Sequence, residues 1–288
     1  MPELPEVETI RLALEPALVG RRFERVEISD SRLVRPFEPQ IVAAELEGER
    51  VRSLERRGKY LIVRFESGRS LLIHLRMTGS LRHDAGGLLD EDPHRRAVVR
   101  LDDRSDIAYR DVRRFGTWLL VEPGKLDEYL AAKVGVEPLG RAFTGRLLAR
   151  RLERRRAPLK AALLDQRTVA GLGNIYVDEA LWRARVHPQR EAGSLDPDEV
   201  VRVTHGIKEA LRTGIARQGA TLRDYARPDG RRGTMQDRFR VYDRAGEPCP
   251  RCGTPIDKIR VAGRGTWYCP NCQRLDPGRR EGSRHRPH

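Results

Sequence analysis

Residues 249–272 read CPRCGTPIDKIRVAGRGTWYCPNC and hold every cysteine of the chain: Cys249, Cys252, Cys269 and Cys272. Two C-x2-C pairs sixteen residues apart have the spacing of a zinc ribbon. Each pair sets two thiolates on one tight knuckle, and two facing knuckles complete a tetrahedron. Between them, residues 258–261 and 266–268 read as short strands joined by Ala262-Gly-Arg-Gly265, which puts Arg264 at the hairpin tip. Two disulfides are the alternative, and a reducing compartment disfavours them. The expectation is one structural zinc ion with four sulfur ligands and no open coordination position.

Outward from this module the pattern changes twice. Residues 276–288 (DPGRREGSRHRPH) are a polar basic tail, expected to be disordered. Residues 221–235 are rich in Gly, Asp and Arg and read as a loop long enough to be functional. From about Val136 to Ile215 the apolar spacing is helical, with helices expected around Leu147–Leu152, Leu159–Leu164, Ile175–Trp182 and Val200–Ile215. The first 133 residues are mostly short β-rich runs: Arg22–Ile28, Val51–Leu54, Tyr60–Phe65, Ser70–Leu75, Ala97–Leu101 and Gly116–Val121. Gly, Asp and Ser signals between them predict a sandwich or barrel. Ahead of them Val7, Ile10, Leu14 and Leu18 predict a helix starting near Pro5. His74, inside an apolar run, reads as a core histidine and not a ligand.

The chain has 288 residues and a net charge of +14, with 34% charged and 39% hydrophobic residues. That composition excludes collagen-like and fully disordered chains, and no apolar run approaches the ~20 residues of a membrane span. Only six of its 56 basic residues are lysine. Arginine-rich coding composition accounts for part of that ratio but not for the net charge, which points to a polyanion such as nucleic acid. MPELPEVETI resembles neither a signal nor a transit peptide, so the expected compartment is the cytoplasm.

The N-terminus carries the most specific chemistry. With Met1 removed, Pro2 is a terminal secondary amine beside Glu3 and near Glu6. An α-amino group titrates near 7.7–8.0, so about a tenth is neutral and nucleophilic at pH 7. Attack on an aldehyde-like sugar C1′ gives an iminium ion that draws electrons and favours elimination of the 3′-phosphate. Glu3 is placed to exchange protons and Glu6 to orient the reacting groups. A plain alternative is that Pro and acids decorate a helix N-terminus, where they suit the dipole.

MPELPEVETIRLAL (1–14) closely resembles the start of the formamidopyrimidine-DNA glycosylase family, which removes oxidised purines and nicks the abasic strand. The resemblance continues through RRGKYLIV (56–63), HLRMTGSLR (74–82), DVRRFG (111–116), LLDQRTVAGLGNIYVDEALW (163–182), GATLRDY (219–225) and VYDRAGEPCPRCGTPI (241–256). It implies an α+β multidomain chain: an N-terminal β-sandwich starting with a helix (1–133), a helix–two-turn–helix domain (134–240) with a lesion-capping loop (about 219–236), and a zinc ribbon (241–275). It implies Pro2 as Schiff-base nucleophile, Glu3 as its acid/base partner, Lys59 in β-elimination and Arg264 in δ-elimination. Met77, Arg113 and Phe115 match the side chains that fill the gap left by an extruded nucleotide, and His94, Arg113, Arg155, Asn174 and Lys160 match DNA-contacting positions. The implied partner is damaged double-stranded DNA, bound by a monomer.

These assignments are chemically sensible, because an enzyme that extrudes a base must fill the hole it leaves. Met and Phe are suitable wedges, and Arg can bond to the orphaned base. Read without the family, Phe115 serves equally well as core and Lys59 as a solvated lysine. Gly171-Leu-Gly-Asn174 before a helix offers backbone N–H groups to a phosphate, or is an Asn-capped turn. Arg76 stands where the family often has glycine, Val112 where it has proline, Arg155 where it has lysine, and Gly233-Thr-Met235 lacks an expected aromatic. Two other readings are an endonuclease VIII-like enzyme for oxidised pyrimidines, against which Leu4 speaks, and a non-catalytic zinc protein that recognises damaged DNA, which would have no use for Pro2-Glu3.

Overall fold

Helix α1 (Leu4–Leu18) has Pro in its first turn and buries Val7, Ile10, Leu14 and Leu18, one stripe at three- and four-residue spacing. A computed structural model describes residues 1–84 and 91–275, so the tail expected over 276–288 lies outside the described residues. The stripe packs on a sandwich of two four-stranded antiparallel sheets. One sheet has the order β1 (Phe23–Ile28), β6 (Arg95–Leu101), β7 (Asp106–Asp111), β5 (Gly79–Asp84), and the other β2 (Val51–Arg57), β3 (Tyr60–Phe65), β4 (Ser70–His74), β8 (Thr117–Val121). Leu61, Val63, Leu71 and Ile73 from the second sheet share one core with Leu81, Val99 and Ile107 from the first.

Strands β5 and β7 were not expected from the sequence, nor were helices α2 (Pro39–Leu46) and α3 (Leu126–Lys133). β5 opens on Gly79 and ends Arg-His-Asp, while β7 begins and ends on Asp, a residue depleted in strands. The Asp106 carboxylate is accommodated because it accepts from the Arg100 guanidinium.

Helices α4 (Gly145–Leu152), α5 (Leu159–Leu164), α6 (Asn174–Ala184) and α7 (Pro197–Ala216) form a second core. Asp196 and Glu199 make a reciprocal capping box at the start of α7, with each side chain bonded to the other's backbone N–H. Gly206 of α7 lets the helix approach α6: a Cβ there would lie 2.5 Å from the Ala180 carbonyl. Leu4 is fully buried in this helical core, not in the sandwich, so the first residues of the chain join the two halves. β9 (Asp257–Val261) and β10 (Arg264–Tyr268) form the terminal hairpin. Its tip is Ala262-Gly263, and Arg264 pairs with Val261 as the first strand residue. No helix among the described residues is long and apolar enough to cross a membrane.

Candidate active site

The chain start is threaded between the sandwich and the helical domain. Leu4 N–H donates to the Gly171 carbonyl at 3.0 Å, and a Cβ on Gly171, which has φ +82°, would lie 2.6 Å from Leu4 Cβ. Pro2 is buried and Met1 is 44% exposed. The Glu3 carboxylate lies over the N-terminus of α6, accepting from Ile175 N at 2.9 Å and Tyr176 N at 3.3 Å. A side chain on Gly173 would collide with it. Glu3 thus takes the two N–H groups that follow the Gly-Leu-Gly-Asn stretch, while within that stretch Gly171 N donates to Gln166 Oε1 at 3.0 Å. An anionic oxygen at a helix N-terminus satisfies unpaired N–H groups and suits the dipole.

Glu6 lies one turn along α1, also buried. Its carboxylate accepts from Glu3 N, Tyr176 OH and Ala220 N, each at 2.8 Å. One side chain thus holds α1, α6 and the start of the 219–236 loop together. Burial first, then the charge of Glu3, raise the Glu6 pKa above the ordinary carboxylate value. Lys59, in the turn between β2 and β3, is 6% exposed. Burial lowers its pKa; Glu3 opposes that shift and Arg264 adds to it. A lysine held in this way gives up a proton more readily than one in water.

The hairpin is clamped onto α5 and α6. Lys160 Nζ lies 2.7 Å from Asp178 Oδ1, with both side chains wholly buried, and donates to the Gly265 carbonyl at 3.0 Å. Asn174 Nδ2 donates to the same carbonyl at 3.0 Å, and Trp267 N donates to Asp178 Oδ2 at 3.1 Å. Burial pushes Asp178 up to about 7 against the pull of Lys160. These bonds anchor the strand immediately after Arg264, whose side chain is exposed. At the other end of the hairpin the four cysteine sulfurs lie within 4.8 Å of one another, with Cys252 Sγ 3.5 Å from Cys269 Sγ and 3.4 Å from Cys272 Sγ. Tetrahedral zinc–thiolate bonds of about 2.3 Å place sulfurs a little under 4 Å apart, so the cluster fits one zinc ion.

On the sandwich, Met77, Arg113 and Phe115 project from the loops after β4 and β7. Met77 is 38% and Phe115 51% exposed, and the Arg113 guanidinium carbon sits 4.8 Å from the Phe115 ring centre. Exposed apolar side chains grouped with an arginine have the make-up of a surface that another molecule covers.

Residues 1–118 match the formamidopyrimidine-DNA glycosylase N-terminal domain, 134–226 its H2TH domain, and 246–275 the zinc finger found in FPG and IleRS. The chain is 47% identical over 254 residues to the formamidopyrimidine-DNA glycosylase of Rhodospirillum rubrum, covering 88% of this chain and 90% of the relative. This chain belongs to the formamidopyrimidine-DNA glycosylase family. Its fold matches that of MutM bound to DNA containing carbocyclic 8-oxo-G, with TM-score 0.87 and 39% identity over 95% of this chain and all of the other. It likewise matches Lactococcus lactis Fpg in complex with DNA containing an abasic site, with TM-score 0.87 and 38% identity at the same coverage.

Within this family frame the structure brings Pro2, Glu3, Glu6, Lys59, Asn174 and Arg264 around one corner and sets Met77 on the loop after β4, with Arg113 and Phe115 together on the loop after β7. His94 is half-buried, with Nδ1 3.4 Å from an Arg96 nitrogen. Arg155 is partly exposed and paired with Asp165 at 3.2 Å. Lys160 departs from its expected place among DNA contacts, because it is sealed inside by Asp178 and Gly265 and faces no solvent. Met235, at the end of the expected lesion-capping loop, is fully buried in the helical core, and Leu222 of that loop is exposed. Sequence reasoning gave no role to Tyr176, Asp178 or Glu179. Glu179 is wholly buried and accepts from the backbone N–H groups of Arg240, Val241 and Tyr242, which fixes the approach to the zinc module. The available signal was two adjacent acids, Asp178 and Glu179, set among the apolar residues of a largely buried helix.

Proposed function

We infer that this chain is a base-excision-repair DNA glycosylase that removes oxidised purines from duplex DNA and then cleaves the abasic strand. The observation that carries the reading is the Glu3 carboxylate fixed next to Pro2 by two N–H groups of α6, with buried Lys59 behind it. Removal of the exposed Met1 frees the Pro2 nitrogen. Its lone pair attacks C1′ and the bond from C1′ to the base breaks, the base leaving with the proton that the Pro2 nitrogen gives up; Glu3 then protonates O4′ as the C1′–O4′ bond opens, leaving an iminium between the Pro2 nitrogen and C1′. The resulting iminium acidifies the C2′ proton. Loss of that proton expels the 3′-phosphate by β-elimination, with Lys59 moving protons, and Arg264 assists loss of the 5′-phosphate. Zinc, held by Cys249, Cys252, Cys269 and Cys272, supplies structure only, since four thiolates leave no position for a substrate.

Met77, Arg113 and Phe115 fill the hole left by the extruded nucleotide, and His94, Asn174 and Arg155 meet the phosphate backbone. The net charge of +14 supports such a partner. We assign residues 1–133 to the catalytic sandwich, 134–240 to DNA binding and 241–275 to the zinc ribbon, in a cytoplasmic enzyme that works on nucleoid DNA as a monomer.

Borohydride reduction on a duplex carrying an abasic site tests the reading. The expected result is a covalent adduct through Pro2 that a Pro2→Gly variant forms poorly. Equal trapping by that variant, or Met1 retained on active protein, removes Pro2 as the nucleophile.

A further inference from the structure

Beneath the loops that carry Met77, Arg113 and Phe115 lies a small buried polar cluster. Thr78, 6% exposed, follows Met77; Asp111, 1% exposed, ends β7. The Thr78 hydroxyl donates to Asp111 Oδ1 and accepts from Arg113 N at 2.9 Å. Asp111 Oδ2 accepts from Gly116 N at 2.7 Å. Each wedge side chain therefore sits within one residue of an atom in this cluster: Met77 beside Thr78, Arg113 through its own N–H, and Phe115 beside Gly116. The β5–β7 ladder pairs Gly79 with Asp111, so the two loops leave the sheet side by side.

The space around the cluster is closed by Tyr109. Side chains on Gly79 or Gly116 would collide with its hydroxyl, which is buried and has no hydrogen-bond partner among the described residues. Two glycines at the loop bases thus pack against one phenol, which leaves the loops little room to move apart. Buried polar groups bonded in a closed network hold one geometry, because breaking any member strands the others.

We propose that Thr78 and Asp111 are positioning residues that join the two loops into one wedge, so that Met77, Arg113 and Phe115 enter the duplex together. The proposal rests on the reading that these three side chains fill the gap left by the extruded nucleotide. Joint entry makes opening the duplex all-or-none. A base pair then yields only if the whole cost of unstacking is met at once, and damaged pairs meet it more easily than intact ones.

The test compares Thr78→Val, which keeps shape but loses both hydrogen bonds, with Thr78→Ser, which keeps the hydroxyl. Single-turnover excision is measured on an 8-oxoguanine·C duplex, with 2-aminopurine beside the lesion reporting insertion in stopped flow. Strand cleavage of a single-stranded oligonucleotide with an abasic site serves as the control. Thr78→Val is expected to slow insertion and duplex excision about tenfold while single-strand cleavage stays within about twofold, and Thr78→Ser to behave as wild type. Wild-type insertion by Thr78→Val, or an equal loss on both substrates, overturns the proposal. If Thr78→Val does not fold, Asp111→Asn is read by the same criteria. Phe115→Ala run alongside separates the two ideas. If it leaves insertion unchanged the wedge reading itself fails, whereas a slowed Phe115→Ala with an unaffected Thr78→Val removes only the coupling.

Discussion

The corner around Glu3 and the loops around Phe115 are built in opposite ways. At the corner Glu3, Glu6, Lys59, Lys160 and Asp178 are all buried, and four of the five have hydrogen-bond or ion-pair partners within 3.3 Å. On the loops Phe115 and Met77 remain about half and over a third exposed. Proton transfer requires groups fixed before substrate arrives, so the corner carries the desolvation cost within the fold. Insertion requires side chains that gain by leaving water, and for side chains already about half covered the gain is about half of the 1.5–3 kcal/mol of a fully exposed one, which offsets part of the few kcal/mol needed to unstack a base. A buried corner therefore couples chemistry to stability, whereas an exposed wedge can change substrate choice with little effect on folding.

Metal removal tests the first half of that contrast most severely. The hairpin supplies Gly265 O and Trp267 N to the Lys160–Asp178 pair, and metal-binding free energy of about 10–16 kcal/mol is folding free energy for so small a module. Zinc chelation of the full chain, or Cys249→Ser, is expected to unfold residues 257–268, displace Arg264 and weaken DNA binding while the sandwich stays folded. Elemental analysis, hydrogen exchange and binding to an abasic-site duplex check this. Full affinity without zinc would break the link between hairpin and corner.

Glu3→Gln comes next in size. Loss of a placed acid/base should slow excision about 10²–10⁴-fold, and because Glu3 is buried the lost charge at the α6 N-terminus should also cost up to about 2 kcal/mol of stability. Single-turnover rates and urea midpoints separate the two. Unchanged excision would remove Glu3 from the chemistry.

Arg113→Ala sharpens the other half. Arg113 is exposed, so its loss should change stability by less than about 0.5 kcal/mol. Its donors suit the O2 and N3 acceptors of an orphaned cytosine, and one good bidentate pair gives about 1–3 kcal/mol of discrimination, or roughly ten- to hundredfold. Wild type is expected to excise 8-oxoguanine faster opposite C than opposite A, and the variant to lose most of that preference. Rates with C, A, G and T opposite the lesion, alongside thymine glycol, decide it. If thymine glycol is the fastest substrate, oxidised pyrimidines replace oxidised purines as the preferred lesions.

The two regions were also unequally legible in the sequence. Helix α1, the six β-rich runs between turn signals and the cysteine knuckles follow from local pattern and spacing, which act over a few residues. Strands β5 and β7 were hidden because Gly79, Asp106 and Asp111 are turn formers by habit, and only their tertiary partners make them strand residues. At the corner, Pro2-Glu3 was readable as chemistry, but the placement of Glu3 over α6 depends on Ile175 and Tyr176, about 170 residues away. Lys160 was misread for the same reason: its partner Asp178 lies on another helix, and a lysine in a basic chain is ordinarily a surface group. The departure at Arg76 has a visible consequence, since its φ of +53° is the left-handed conformation that glycine adopts more readily.

That same backbone turn links the two regions and supports the smallest prediction. His74 ends β4, 8% exposed, and its Nδ1 accepts from Arg76 N at 3.0 Å, just before Met77. Burial, then the charges of Arg76 and Lys59, lower its pKa from 6.5 to about 3. The unfolded chain therefore binds a proton below about pH 6.5 that the folded chain refuses, so stability is full above that value and declines as pH falls toward 3. The slope from this one group approaches about 1.4 kcal/mol per pH unit. Protonation would also turn the acceptor of Arg76 N into a donor, so the loop bearing Met77 should loosen ahead of the corner. His74→Asn keeps an acceptor in nearly the same place and cannot titrate. Urea unfolding at pH 7, 6 and 5 should show the slope reduced in the variant, with hydrogen-exchange protection at residues 76–78, taken relative to free amides at each pH, no longer falling in acid. An unchanged slope would mean that other groups set the acid sensitivity and that His74 does not connect the wedge to the sandwich.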